Sequence, residues 1–231
     1  MTDDPILRNR RLRASGLIGI LAASIMFLSD CIIMDSSASG TEFRYVALDR
    51  LAESPTWRLT WGGIAGPIGA CFFVIGFGHI YLALRPGGNL CAAACAVGLA
   101  TGYVILGAWH AAGPMLAFII RSLPADVDPT SHESWAYLMN LGFVGFVPAA
   151  LSLLLFPVLI LFRQSMYPKW FALFTPGSIY LGTFAFMYLP APIGGYLVMG
   201  SGSLSFWVFF VISTMILWNG GKATTCQGKL S

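Results

Sequence analysis

The stretch WRLTWGGIAGPIGACFFVIGFGHIYLAL, residues 57–84, limits what this chain can fold into more than any other. It is apolar over its whole length except for Arg58 and Thr60 near its start and His79 near its far end. A helix needs about 20 such residues to cross a bilayer, where every backbone polar group must be satisfied within the segment. Similar runs recur along the chain, which is 57% hydrophobic and 10% charged. Soluble domains carry about 25% charged residues, so the composition is that of a membrane protein. The net charge of +3 is small, and no basic face interleaved with aromatics suggests nucleic-acid binding.

The expected architecture is all-α: one transmembrane domain over residues 1–231, with six transmembrane helices at about 14–34, 58–84, 89–112, 135–162, 170–189 and 194–218. The first run follows Arg8, Arg10, Arg11 and Arg13. It is longer than the ~7–15-residue core of a signal peptide and carries an aspartate near its end, so it is read as a retained helix. Gly113-Pro114 is expected to kink or end the third helix, and Asn219-Gly220-Gly221 to stop the sixth. Residues 35–57 and 121–134 are expected to be outer loops. In the first loop, Ser39 and Glu42 have capping-box spacing ahead of an amphipathic piece. It reads equally as a surface helix or lid and as a solvated loop with one helical turn. Thr130 and Glu133 have the same spacing before the fourth span.

Six crossings put both termini on one side. Arg8, Arg10, Arg11, Arg13, Arg85, Arg163, Lys169, Lys222 and Lys229 lie on that side, against Arg44, Arg50, Arg58 and Arg121 on the other. Basic residues favour the cytoplasmic face, so both ends are expected in the cytoplasm. Gly62, Gly66 and Ala70, and then Ala94, Gly98 and Gly102, are small residues at four-residue spacing. Such ridges let helices approach closely in lipid, within one chain or between chains of an oligomer. The first ladder lies in the outer half of its span and the second nearer the inner half, so each is expected to face some other helix. Cys31, Cys71, Cys91, Cys95 and Cys226 contain no CxxC pair and read as packing residues.

Ionisable residues inside a span are costly, by about 2.5–3.5 kcal/mol on insertion scales, and so point to function. Asp30 lies about 27 Å along its helix from Leu12, and His110 about 31 Å along from Asn89, at 1.5 Å per residue. Depth therefore puts Asp30 and His110 near one outer level with Arg58, Trp61, Trp109, Tyr137, Asn140 and Tyr188. One reading is a pocket in which Asp30 and His110 form a catalytic acid–base pair. Arg58, Trp61, Trp109, Tyr137 and Asn140 would then bind the substrate. The other reading is structural: an Asp30–Arg58 ion pair, a satisfied His110, and an ordinary aromatic belt. His79 falls near the inner end, about 20 Å from His110 in depth. The two cannot flank one haem, and His79 reads as a snorkelling, satisfied histidine. No metal site, cofactor motif, HExxH, GxSxG or Walker loop appears.

Asp30, the run Trp57–Ala70, Gly76–Leu84 and the pair Trp109-His110 resemble a family of small bacterial six-helix integral membrane proteins of uncharacterised function, mainly over residues 15–115. The resemblance implies fold and location in a bacterial plasma membrane, and no catalytic role. Three functions fit the residues. The first is binding of an apolar lipid- or isoprenoid-like molecule, or acid–base chemistry on it of the isomerisation or cyclisation type. The second is a small-molecule transporter, and the third a non-catalytic membrane partner subunit. Membrane lipids are the expected surroundings in each case.

Overall fold

The computed structural model describes residues 5–33, 51–124, 127–128 and 132–227. Every regular element among them is helical. The long helices are α1 (Pro5–Ile33), α2 (Thr56–Leu84), α3 (Asn89–Ser122) and α4 (Glu133–Phe162). Two short helices follow, α5 (Pro176–Gly182) and α6 (Ile193–Met199), and then the long α7 (Ser201–Gln227). Tight 3-10 turns occupy Arg85–Gly87, Lys169–Phe174 and Thr183–Tyr188. α1, α2, α3, α4 and the first part of α7 are each long and apolar enough to cross a membrane. The Ser39–Glu42 capping box and most of the amphipathic piece after it lie outside the described residues.

The expected helix at 170–189 is not continuous. Pro176 lacks an amide hydrogen and forces the preceding Thr175 into extended backbone, with ψ 155°. α5 then tightens into the 3-10 turn Thr183–Tyr188, and Pro190 and Pro192 end it. The expected helix at 194–218 is likewise divided at Gly200, where a Cβ would overlap the Phe27 ring. Its second piece runs past Asn219-Gly220-Gly221 to Gln227, because glycines weaken a helix without forbidding it. α3 continues through Gly113-Pro114 to Ser122. Proline in a membrane helix is tolerated where neighbours cover the freed backbone, and Pro114 packs against the bare Cα of Gly63. α1 starts at Pro5 rather than near 14, since arginines are good helix formers and proline suits a first turn. The cap of α4 is His132, whose Nδ1 accepts from the Ser134 amide at 3.2 Å. Thr130 lies outside the described residues.

α1 packs along α2 on one side and α7 on the other, while α3 lies between α2 and α4. The inward faces are written in small residues. Gly62 and Gly69 abut α1, Gly66 abuts the His110 ring of α3, and Gly107 of α3 meets Ala70. Gly98 and Gly102 meet Ser152 and Ala149 of α4. The two ladders thus face different partners. Phe73, Phe77, Phe206 and Phe210 fill the centre, with Phe73 and Phe206 centroids 5.4 Å apart and Tyr103 4.8 Å from Phe73.

Charged side chains fasten both ends. At the near end, where α1 begins, Arg13 lies 4.5 Å over the Trp218 ring and donates to its carbonyl. There Lys169 donates to the carbonyls of Ile160, Leu161 and Arg163 at 2.7, 2.7 and 2.8 Å, covering the end of α4. At the far end Arg58 does the same for α1, with Nε to Ile32 O at 2.7 Å and an NH2 to Cys31 O at 3.1 Å. Arg121 grips the segment before α2 through Ala52 O and Ser54 O.

Candidate acid–base site

One turn from its C-terminal end, α1 carries Ser29 and Asp30, both buried. Gly66 leaves a notch in α2 against which the His110 ring lies flush, while Gly62 lets Ser29 and Ile33 of α1 come close. His110 Nδ1 stands 3.6 Å from Asp30 Oδ1. Ser203, in the first turn of α7, donates to Asp30 Oδ2 at 2.9 Å. Ser29 Oγ lies 2.7 Å from His110 Nε2 and 2.6 Å from the Gly62 carbonyl. Three long helices and the start of a fourth thus meet in one polar cluster.

The hydrogen bonds fix where protons go. A serine hydroxyl has one proton, and the Gly62 carbonyl can only accept, so Ser29 donates there. His110 Nε2 must then donate to Ser29. That leaves Nδ1 facing a carboxylate oxygen. Two bare lone pairs repel, so a proton belongs between Asp30 and His110, as an imidazolium–carboxylate pair or as a carboxylic acid beside a neutral ring. At 3.6 Å the two side chains lie within ion-pair reach and just beyond hydrogen-bond length.

The remaining residues expected at this level do not all join the cluster. Arg58 is engaged with the last carbonyls of α1. Trp61 and Tyr137 are 63% and 64% exposed on the outside of the bundle, and Asn140 is exposed too. Trp57, Trp61, Ile64 and Ile68 share that outward face of α2, four residues or one turn apart. Tyr188 is also exposed. Trp109 is partly buried, and its indole N–H, closed off against Gly142, has no acceptor among the described residues.

Ser29 and Ser203 are the participants that the sequence alone did not single out. A serine next to an intramembrane aspartate was the available signal for Ser29. Ser203, 173 residues away from Asp30, carried no such signal.

A second polar chain lies toward the near end. His79 is wholly buried rather than snorkelling. Its Nδ1 donates to Leu12 O at 2.9 Å, so the neutral ring accepts at Nε2 from Ser213 at 2.7 Å. Ser213 Oγ is bonded to the Tyr167 hydroxyl at 2.9 Å. This histidine is satisfied at both nitrogens. The buried phenylalanines, at positions 73 and 77 of α2 and 206 and 210 of α7, separate the two clusters along both helices. Among the described residues, no group of three His, Cys, Asp or Glu side chains is placed to hold a metal ion.

The fold and this cluster define a helical membrane-type bundle with a buried Asp–His pair. A family model matches residues 1–219. The chain belongs to that family, described as a family of unknown function (DUF6796). Searches of curated proteins and of solved structures returned no match.

Proposed function

We propose that this protein is a bacterial plasma-membrane enzyme whose Asp30–His110 pair moves protons on an apolar lipid- or isoprenoid-like molecule. The observation that carries the reading is the 3.6 Å approach of the two side chains, oriented by Ser29 and Ser203. A pair that holds one proton suits double-bond isomerisation. The acid form delivers its proton to one alkene carbon, and the π electrons form that C–H bond. The resulting cation loses a proton from a neighbouring carbon to the base, and that C–H pair becomes the new double bond. The proton inventory is restored with no cofactor consumed. Aromatic faces such as that of Tyr103 would stabilise the developing charge. A transport path is less well supported, because close-packed phenylalanines stand between this centre and His79.

The topology belonging to this reading has six crossings with both termini in the cytoplasm. Lys169 is tied to the near end of α4, whereas Met199 packs with Ile33 and Leu59 at the far end. The chain between them has to traverse the bundle, and the broken segment from 169 to 188 supplies that crossing. The excess of basic residues at the near end favours the cytoplasm there.

The test is deuterium incorporation. Membranes containing the protein are incubated in D2O, and their apolar lipids are surveyed by mass spectrometry. A species gaining deuterium at carbon with wild type, and not with Asp30→Asn or His110→Gln present at equal levels, is expected. Absence of protein-dependent incorporation, or incorporation that survives Asp30→Asn, would overturn the proposal.

A further inference from the structure

Beside the Asp30–His110 pair, α3, α4, α5, the end of α6 and the start of α7 enclose a cleft of about 390 Å³ that opens on the side of the bundle. Tyr103 and Trp109 line it from α3, Phe146 from α4, Tyr180 from α5, and Gly202 and Phe206 from α7. It exists because α5 stops after Gly182, so no continuous helix fills the space between α4 and α7. Its volume falls within the ~300–1,000 Å³ of small-molecule sites.

The occupant follows from where the cleft opens. α3 and α4 cross the apolar layer at this level, so hydrocarbon chains are what the cleft meets. A chain is thin enough to enter. Aromatic and aliphatic side chains make most of its walls, and Gly202 has no heavy atom within 4 Å of where a Cβ would stand, leaving the lumen clear. Ser201, Gly202 and Ser205 of its lining flank Ser203, which donates to Asp30 on the other side. We propose that this cleft seats a single hydrocarbon chain of a membrane lipid, entering sideways from the bilayer. The site is separate from the Asp30–His110 pair, and its occupancy does not require that the pair be catalytic.

The full chain is reconstituted in nanodiscs containing a phospholipid with a diazirine midway along one acyl chain, irradiated, and mapped by mass spectrometry. Labelling is expected to concentrate on Tyr103, Trp109 and Tyr180 over the outward-facing Leu154 and Leu161. Gly202→Phe, which places a ring in the lumen without a backbone clash, should abolish cleft labelling and leave Leu154 and Leu161 labelled. Gly202→Leu, a milder change, should reduce it. Gly182→Phe, also into open space but outside the cleft lining, should change nothing. Cleft labelling that survives Asp30→Asn separates binding from chemistry. Labelling no stronger in the cleft than on the outer face, or undiminished by both Gly202 variants, would overturn the proposal. So would crosslinks from these residues to another protein chain instead of lipid.

Discussion

Gly66 shows how much a single residue controls here. A Cβ at this position would overlap the His110 ring, which has α3 behind it and cannot retreat freely. Gly66→Ala is therefore expected to destabilise the protein by about 1–3 kcal/mol, the usual cost of overpacking. It should also abolish deuterium incorporation with Asp30 and His110 both intact. Gly78, where a Cβ meets nothing within 4 Å, is the control. Gly78→Ala should leave the thermal midpoint unchanged or raise it slightly, because alanine is the better helix former by about 0.5–1 kcal/mol. The two glycines are alike in sequence and opposite in consequence. A second expectation concerns His79. Ser213→Ala removes the donor to Nε2 and leaves a buried ring nitrogen unsatisfied, at a cost of about 1–3 kcal/mol. Thermal unfolding in detergent should show that loss. Deuterium incorporation per folded molecule should not change, since the phenylalanine cluster lies between the two histidines.

Helix ends carry the next set of constraints. A helix finishes with carbonyls that have no intrahelical partner, and this chain covers them with cations sent from other elements. Arg58 reaches back from α2 to close α1, as Lys169 closes α4. Hydrogen bonds to charged groups contribute about 1.5–3 kcal/mol each, so Arg58→Met should lower stability measurably. Arg58→Lys should recover only part of it, because a point ammonium cannot reproduce two bonds from one planar fork. Full stability in Arg58→Met would show that this cap contributes little. The sequence reading saw Arg58 at the right depth for Asp30, but depth alone does not distinguish a carboxylate from the nearby carbonyls of the same helix. Trp61 and Tyr137 show a related gap. In lipid the outer face of a helix is as apolar as the inner one, so hydrophobic periodicity does not report which way a side chain points. On α2 the inward direction is marked by glycines instead, and Trp61 falls on the other face.

At the scale of the molecule, the described residues form a polar centre around Asp30 and His110 and another around His79, with an aromatic core between them. The proposed sixth crossing is testable by fusion. Alkaline phosphatase inserted between Pro190 and Pro192 should be active, and a fluorescent protein at the C-terminus should fluoresce in the cytoplasm. An inactive phosphatase at that turn would mean that residues 169–188 do not traverse the membrane. Membrane character and the long helices were legible from residue types alone, because twenty apolar residues have few other ways to be solvated. So was the shared level of Asp30 and His110, since helical rise is fixed at about 1.5 Å per residue. Tertiary structure decided the rest. It chose the rotation of each helix, and so put Asp30 against His110 while turning Trp61, Tyr137 and Asn140 outward. It supplied Ser29 and Ser203 from helices far apart in sequence, and their hydrogen bonds hold the His110 ring and the Asp30 carboxyl group in place. It also broke the fifth segment where proline, glycine and neighbouring side chains compete, which opened the cleft. Local sequence sets how far along a helix a residue lies, and only the packing of neighbours sets what that residue faces.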